Sequence, residues 1–415
     1  MFSMIMVHFV FGNWVNAEDW PQYRGPTGMG ICKSNNLPIQ WGGADSKNVL
    51  WKVPLPGTVV KGDPDHNQSC PIIWKDQIVV TTVFWPAKRK HTEFPEQHVS
   101  CYQLADGKLK WDRLVPTGPW KLTDLRGGYA APTPCTDGER IYTLFGSSTL
   151  AAIDFQGEII WQKEIPDWKD FDVAIGTSPV LYAGQLILLA DRRGMKGTLT
   201  SYNPKTGKML WEQKRTTTFS HTTPVFVENS GQAQMLIGAA GELQSLDPKT
   251  GEKNWWVKTA GDVTSPVAAD GYVYSDSGRG GPGVYVDMAG KGDASDRVKW
   301  KIKHFPEGLS SPVIVGHFLY RLHNPGVLKC VELTSGLVQY SQRLEGVSAA
   351  ASPIADPQGR IYFASAGTSY VLQAGREFKL LATNDLGEPS LAAAAVTDGK
   401  IILKGSKNLF CIGAK

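Results

Sequence analysis

The sequence predicts an all-β protein, an eight-bladed β-propeller of four-stranded antiparallel blades, its ring closed by an N-terminal strand that completes the C-terminal blade. Three observations predict it. A small-residue/Pro opening recurs along most of the chain. Each opening leads through two strand–turn–strand patterns that end on an aromatic residue. The last copy stops short of its fourth strand, while a strand of that pattern stands alone near the N-terminus. A fixed period of about 45 residues with four strands per copy is a propeller signature, and one propeller can absorb a chain of this length.

The chain begins with a segment unlike the rest. Met4–Phe11 is mostly apolar, and Val15-Asn16-Ala17 offers a small-residue cleavage site before Glu18. Residues 1–17 therefore read as a secretory signal peptide, although no Lys or Arg precedes the apolar run. The run is too short to span a bilayer. No Cys follows the cleavage site, so no lipid anchor is expected there. Residues 18–47 are assigned to an N-terminal arm and 48–415 to a single propeller domain.

The openings are Ser69-Cys70-Pro71, Thr133-Pro134, Ser178-Pro179, Thr223-Pro224, Ser265-Pro266, Ser311-Pro312 and Ser352-Pro353, with a degenerate eighth at Ala392–Ala395. From Pro134 onward they lie 45, 45, 42, 46 and 41 residues apart; the first gap is 63 because of inserts around Phe84–Gln97 and Trp120–Gly127. The clearest second halves are Ser201–Trp211 and Ser245–Trp255. In their Asp/Asn-Pro-Lys-Thr-Gly segments, Asp or Asn accepts local backbone bonds, Pro presets φ and Gly supplies a positive φ. Cys101/Trp111, Ala152/Trp161 and Cys330/Tyr340 repeat the step from small residue to aromatic, Trp300 ends a degenerate copy, and Leu381 stands for the aromatic in the seventh. Trp51, Trp111, Trp161, Trp211, Trp255, Trp300 and Tyr340 are thus expected to dock blades, each a bulky aromatic received by a small residue such as Cys101, Ala152, Ser201, Ser245, Cys330 or Cys411. The strand around Trp51 is expected to complete the blade that the C-terminus begins, removing the open seam.

Charge narrows the function classes. With 43 basic and 39 acidic residues the chain is nearly balanced, and Lys88-Arg89-Lys90 is its one compact basic cluster, so no nucleic-acid footprint is present. The six cysteines are never adjacent and form no Cys-x-x-Cys-His; a Cys70–Cys135 bridge is left open. The eight histidines contain no His-x-x-x-His pair, so no metal is assigned. Lys205-Thr206-Gly207-Lys208 lacks the Gly-rich lead-in of a phosphate loop, and no Gly-x-Ser-x-Gly elbow occurs.

The Thr-Gly-Lys-x-x-Trp segments resemble the pyrroloquinoline-quinone (PQQ) type of propeller repeat, with Ser201–Trp211 and Ser245–Trp255 the best copies and nearly all of 49–415 covered. Asp19-Trp20-Pro21-Gln22-Tyr23-Arg24-Gly25-Pro26 resembles the opening of exported, planctomycete-type bacterial members. The resemblance implies one of two functions. One is a non-catalytic scaffold of the BamB type, working among envelope or outer-membrane proteins. The other is a quinoprotein oxidoreductase that holds PQQ and calcium at the propeller axis and oxidises alcohols or sugars. Such enzymes typically carry adjacent cysteines over the quinone, which this chain lacks. The scaffold, periplasmic or secreted and without a membrane span, is the leading expectation, with no catalytic residue assigned.

A ligand site, if the chain carries one, belongs at the channel mouth, where the loops entering each first strand converge. Those loops carry Asp63, Asp65 and His66; Asp124 and Arg126; Asp172; His221; Asp262; and Glu388. Asp63, His66, Arg126, Asp172, His221 and Asp262 are the candidates to line a pocket for a small polar ligand or peptide. The insert Phe84–His98 mixes aromatics, Pro and charge, and is the expected partner contact.

Overall fold

The computed structural model describes residues 19–414 except 90–91, 123–126, 166–175, 193, 195, 218–219 and 349. Residues 1–17, read as a signal peptide, lie outside the described residues. Eight sheets follow one another around the axis. Blades 1 to 7 occupy 72–115, 135–164, 180–215, 225–260, 267–307, 313–343 and 354–384, and blade 8 combines Ala395–Thr397, Lys400–Lys404 and Asn408–Gly413 with Val49–Pro54. Val49–Pro54 pairs antiparallel with Asn408–Gly413, and the register sets Trp51 opposite Cys411. The ring is closed by the strand the sequence left unattached.

Each blade grades from buried to wet. Central strands such as Gln185–Ala190 are apolar along nearly their whole length and buried on both faces. Outer strands such as Leu109–Val115 and Met209–Arg215 alternate half-buried and exposed residues, the period-two pattern of a strand with one face on a neighbour. The core is correspondingly divided among the blade interfaces. One cluster joins Val99 and Cys101 of blade 1 to Ile141 and Ile153 of blade 2; another joins Tyr362 and Val371 of blade 7 to Ile402 and Cys411 of blade 8.

The aromatic docking device is more specific than a bulky residue meeting a small one. Cys101, Ala152, Ser201, Ser245 and Cys330 stand opposite their aromatic within the same blade. What receives the ring from the next blade is a turn glycine. Trp111 of blade 1 lies against Gly157 of blade 2, Trp161 against Gly207, Trp211 against Gly251, Trp300 against Gly336 and Trp51 against Gly107. Each of these glycines has a positive φ, and a Cβ there would come within 2.9 Å of the indole. The indole N–H also donates across the interface, from Trp51 to Leu104 O (3.0 Å), Trp111 to Phe155 O (2.9 Å), Trp161 to Pro204 O (2.8 Å) and Trp300 to Leu333 O (2.8 Å). Trp211 and Trp255 donate instead to Gln185 and Gln234 of their own blades.

Three local expectations shift. In blade 7 the residue opposite Val371 is Ala382, because a bulge after Val371 passes over Leu381. In blade 4 one continuous segment, Gln232–Leu246, pairs Val225–Asn229 with its first part and Lys253–Ala260 with its second, and Gly292–Asp293 adds a short parallel pairing at the edge. The first insert is shorter than the sequence implied. Phe84 and Trp85 are buried within Gln77–Trp85, and Glu96, Gln97 and His98 belong to Glu96–Gln103, so the loop proper is 86–95.

The arm closes one face. Trp20 bridges to Ile73 of blade 1, the Pro21 carbonyl accepts from Thr136 N of blade 2, Met29 Sδ accepts from Ala268 N of blade 5, and Ile31 bridges to Ala355 of blade 7. Its contacts gather at the ends of innermost strands on opposite sides of the ring, so the arm crosses the channel. Among the described residues no helix is long and apolar enough to cross a membrane.

Candidate functional site at the channel mouth

The repeated openings meet at the axis. The residue before each Pro places its side chain where the preceding blade's backbone N–H can reach it. Cys70 N donates to Thr133 Oγ1 (2.9 Å), Thr133 N to Ser178 Oγ (3.0 Å), Ser178 N to Thr223 Oγ1 (3.1 Å), Thr223 N to Ser265 Oγ (3.0 Å), Ser265 N to Ser311 Oγ (3.0 Å) and Ser311 N to Ser352 Oγ (2.9 Å). The next position, Ala393, has no hydroxyl; its own backbone bonds back to the Cys70 sulfur. A girdle of hydroxyls therefore runs from blade to blade around the channel. Pro cannot donate, so a buried entry strand needs its amides satisfied by this other route. The Ser/Thr-Pro spacing was visible in the sequence; the inter-blade bond that explains it was not.

The candidate residues fall into separate groups. His221 and Asp262 come together between blades 4 and 5. His221 N donates to Asp262 O (2.7 Å), and Gly176 N donates to His221 Nδ1 (3.1 Å), which leaves the imidazole proton on Nε2. Burial and the Arg279 charge push His221 down to about 4, so the ring is neutral. The Asp262 carboxylate accepts from Ser277 Oγ (2.6 Å) and lies 3.4 Å from Arg279 Nε. Asp63 and His66 sit on blade 1. Asp63 is engaged by the insert: Arg89 N donates to its carboxylate (3.1 Å), and Arg89 also donates to Pro64 O and lies over the Trp85 ring. His66 is exposed. Neighbouring Asp65 is buried and accepts from Tyr129 N (2.5 Å); burial pushes its carboxyl up. Glu388 accepts from Lys407 N and Asn408 N and faces Lys52. Arg126, Asp172 and Asp124 lie outside the described residues.

Sequence reading missed the strongest polar groups of the interior. Arg321 is wholly buried and forks onto Asp276 (2.8 and 3.2 Å), spending its remaining donors on Ser310 O, Leu322 O and Gly308 O. Arg215 forks onto Asp191 in the same way (2.5 and 3.1 Å). Lys404 is buried and donates to Ser69 Oγ (2.7 Å) and Thr81 O (3.1 Å), and burial pushes it down to about 7. His323 donates from Nδ1 to Pro306 O (2.9 Å) and packs on Phe305; burial, then Arg321, pushes it down to about 4. At the base of the insert, His98 stacks on Phe84 between Asp112 (2.7 Å) and Glu96 (3.2 Å). Burial opposes its charge, and the two carboxylates outweigh burial and raise it. The available signal was a charged residue at the buried end of an apolar strand, as in Ile401–Lys404 and Leu319–Leu322.

The six cysteines are unpaired and buried, so the Cys70–Cys135 bridge does not form. Burial pushes Cys32, Cys101 and Cys411 up to about 12, which makes them inert packing groups. Among the described residues no three His, Cys, Asp or Glu side chains converge as a metal site.

Known structures share this architecture. BamB from Moraxella catarrhalis is 14% identical, with 88% of this chain and 96% of that chain covered and a TM-score of 0.60. A europium-containing methanol dehydrogenase is 10% identical over 93% of this chain and 89% of that chain, with a TM-score of 0.70. The quinohemoprotein alcohol dehydrogenase of Comamonas testosteroni is 11% identical over 96% of this chain and 81% of that chain, at 0.67. At these identities the likeness establishes the fold alone. No curated protein matches the sequence. A family model does, across residues 43–167 and 95–342, and on that match the chain belongs to the PQQ-type propeller family described as outer membrane protein assembly factor BamB.

Proposed function

We propose that the chain is an exported binding scaffold of the cell envelope, offering its channel-mouth face and the 86–95 loop to protein partners. One observation carries this reading: the described carboxylates of the mouth loops and of the interior are held by groups of the chain itself. Asp63 is held by Arg89, Asp262 by Ser277 and Arg279, Asp191 by Arg215, and Asp276 by Arg321. A catalytic site needs polar groups that converge on a reacting atom, whereas these pairs fix loop positions. Fixed loops around an exposed segment such as Pro86–Lys88 make a rigid recognition surface.

The fold likeness to two alcohol-oxidising enzymes keeps a PQQ- and calcium-dependent oxidoreductase as the rival reading. It draws less support from the residues present. No two cysteines are adjacent, and among the described residues no three His, Cys, Asp or Glu side chains converge.

One experiment separates the two. A photo-crosslinking residue is placed at Lys88 in cells, with the outer-strand position Leu337 as control, and the purified chain is titrated with PQQ and calcium before adding alcohols, sugars and a dye acceptor. The scaffold reading expects a discrete envelope-protein adduct from position 88, none from 337, and no quinone-dependent dye reduction. Dye reduction that saturates with PQQ overturns it.

A further inference from the structure

The face opposite the channel mouth holds a cavity of about 300 Å³ among blades 1, 2 and 3, and the arm supplies part of its wall. Its shape follows from a minimal turn in blade 3. Tyr182 pairs with Gln185, so Ala183 and Gly184 alone make the turn, both at positive φ (44 and 74). A two-residue turn of that kind carries little bulk, and a Cβ at Gly184 would meet nothing within 4 Å. The arm wall is pinned to the blades. Lys75 N donates to Asp19 Oδ1 (2.7 Å), Trp20 and Ile73 exchange backbone bonds (2.9 Å each), and Thr136 N donates to Pro21 O (2.9 Å). The cavity is therefore preformed.

Two neutral amides on this cavity are not spent. Gln22 is 7% exposed, yet its side chain makes a single long hydrogen bond, from Nε2 to Pro26 O (3.5 Å), and Oε1 has no partner among the described residues. A buried amide with an open acceptor is costly unless something outside the fold serves it. Asn203 spends Oδ1 on Lys205 N (2.9 Å) and Thr206 N (3.2 Å), while its Nδ2 donates to nothing among the described residues. The carboxylates on the cavity are occupied. Asp137 accepts from Tyr142 OH (2.6 Å), Glu139 N (2.9 Å) and Arg140 N (2.7 Å), and Glu139 pairs with Arg140 (3.0 Å). Lys205 is exposed and opposite in sign to these two, so the lining selects for no net charge. The rings of Trp74, Tyr182, Pro21 and Pro204 supply the apolar surface.

We propose that this cavity binds a neutral saccharide. A pyranose has an apolar C–H face and an edge of hydroxyls, each able to donate and to accept. The ring surfaces match the face; Gln22 Oε1 and Asn203 Nδ2, one an acceptor and one a donor, match the edge. An extended peptide would take its backbone bonds from an open strand edge, whereas turns and the arm border this cavity. The site is independent of whichever partner the mouth face binds.

Saturation-transfer NMR on the full chain tests the site, with cellotriose, maltotriose, mannotriose and chitotriose as probes and decaproline as the peptide control. Transfer to the ring C–H protons of at least one trisaccharide is expected. Its affinity should fall about tenfold in Gln22→Met and in Asn203→Asp, as for one lost hydrogen bond, and stay unchanged in Leu337→Ala on a distant outer strand. Asn203→Asp removes the donor and keeps the turn, since Asp247 accepts the equivalent bonds from Lys249 N (2.7 Å) and Thr250 N (3.2 Å) in blade 4. No transfer to any trisaccharide, transfer to decaproline alone, or binding left unchanged by either variant overturns the proposal. Should Gln22→Met fail to fold, Asn203→Asp decides alone.

Discussion

Trp51 faces Cys411 across the pairing that closes the ring, and its indole N–H reaches beyond that blade to the Leu104 carbonyl of blade 1. One side chain thus joins the first described strand, the last described strand and the first complete blade. Trp51→Ala removes the ring, its hydrogen bond and its packing on Gly107 together. The expected loss is about 3 kcal/mol, the lower end for a buried Trp because the site is only half-buried. Urea unfolding checks it, with Leu114→Ala on an outer strand (Leu114 is 54% exposed) expected to change stability by less than about 0.5 kcal/mol.

Two glycines separate backbone strain from steric exclusion. Gly157 and Gly231 both have positive φ, but a Cβ at Gly157 meets the Trp111 ring at 2.8 Å, while one at Gly231 meets nothing within 4 Å. Gly231→Ala is expected to cost about 1 kcal/mol, the left-handed penalty alone. Gly157→Ala should cost that plus about 1–3 kcal/mol for displacing the indole. Equal losses in chemical denaturation would contradict the docking geometry.

Arg321 and Asp276 form a wholly buried pair, and Asp276 also accepts from Tyr274 OH and Thr264 Oγ1. Arg321→Met leaves the carboxylate without its cation and is expected to cost about 3–5 kcal/mol. Adding Asp276→Asn should recover part of that loss, since the amide carries no charge to strand. A double-mutant cycle in urea measures the coupling.

Two histidines give stability opposite slopes with pH. His323 titrates at about 4 in the fold against an ordinary 6.5, so the unfolded chain takes up its proton first as pH falls. Stability is unaffected by His323 above about pH 6.5 and declines from there to pH 4, by roughly 3 kcal/mol in total. His98 is raised, so its contribution is complete below the ordinary value and is lost as pH rises through its folded one. His323→Gln should flatten the acid limb of the stability profile. Asp112→Asn should destabilise more at pH 5.5 than at pH 8.5.

The fold was legible because propeller repeats write local chemistry at a fixed interval. Pro179, Pro224 and Pro266 mark entries, and Gly207 and Gly251 mark turns, whatever lies around them. Even the closure could be read, since Trp51 belongs to a fourth-strand pattern and the chain ends at a third strand. The interior polar groups were not legible. Lys404 and Ser69 stand far apart in sequence, as do Arg24 and Pro312, and only the closing of the ring and the crossing of the arm bring each pair together. The mouth was partly legible: His221 and Asp262 meet because their loops are neighbours, while Asp63 turns to Arg89, a contact that no spacing encodes. Leu381 shows the remaining limit, as a one-residue bulge is enough to replace it by Ala382.

Closure has a consequence for the order of synthesis. Val49–Pro54 is translated before any blade, yet its hydrogen-bonding partner, Asn408–Gly413, is made only after seven blades. Until then the nascent chain carries an unmatched edge at its start, and the glycine turn of blade 1 has no indole to cover it. The finished ring can therefore appear only after Asn408–Gly413 has left the ribosome. Truncation anywhere before Asn408 leaves the earliest strand as stranded as the latest.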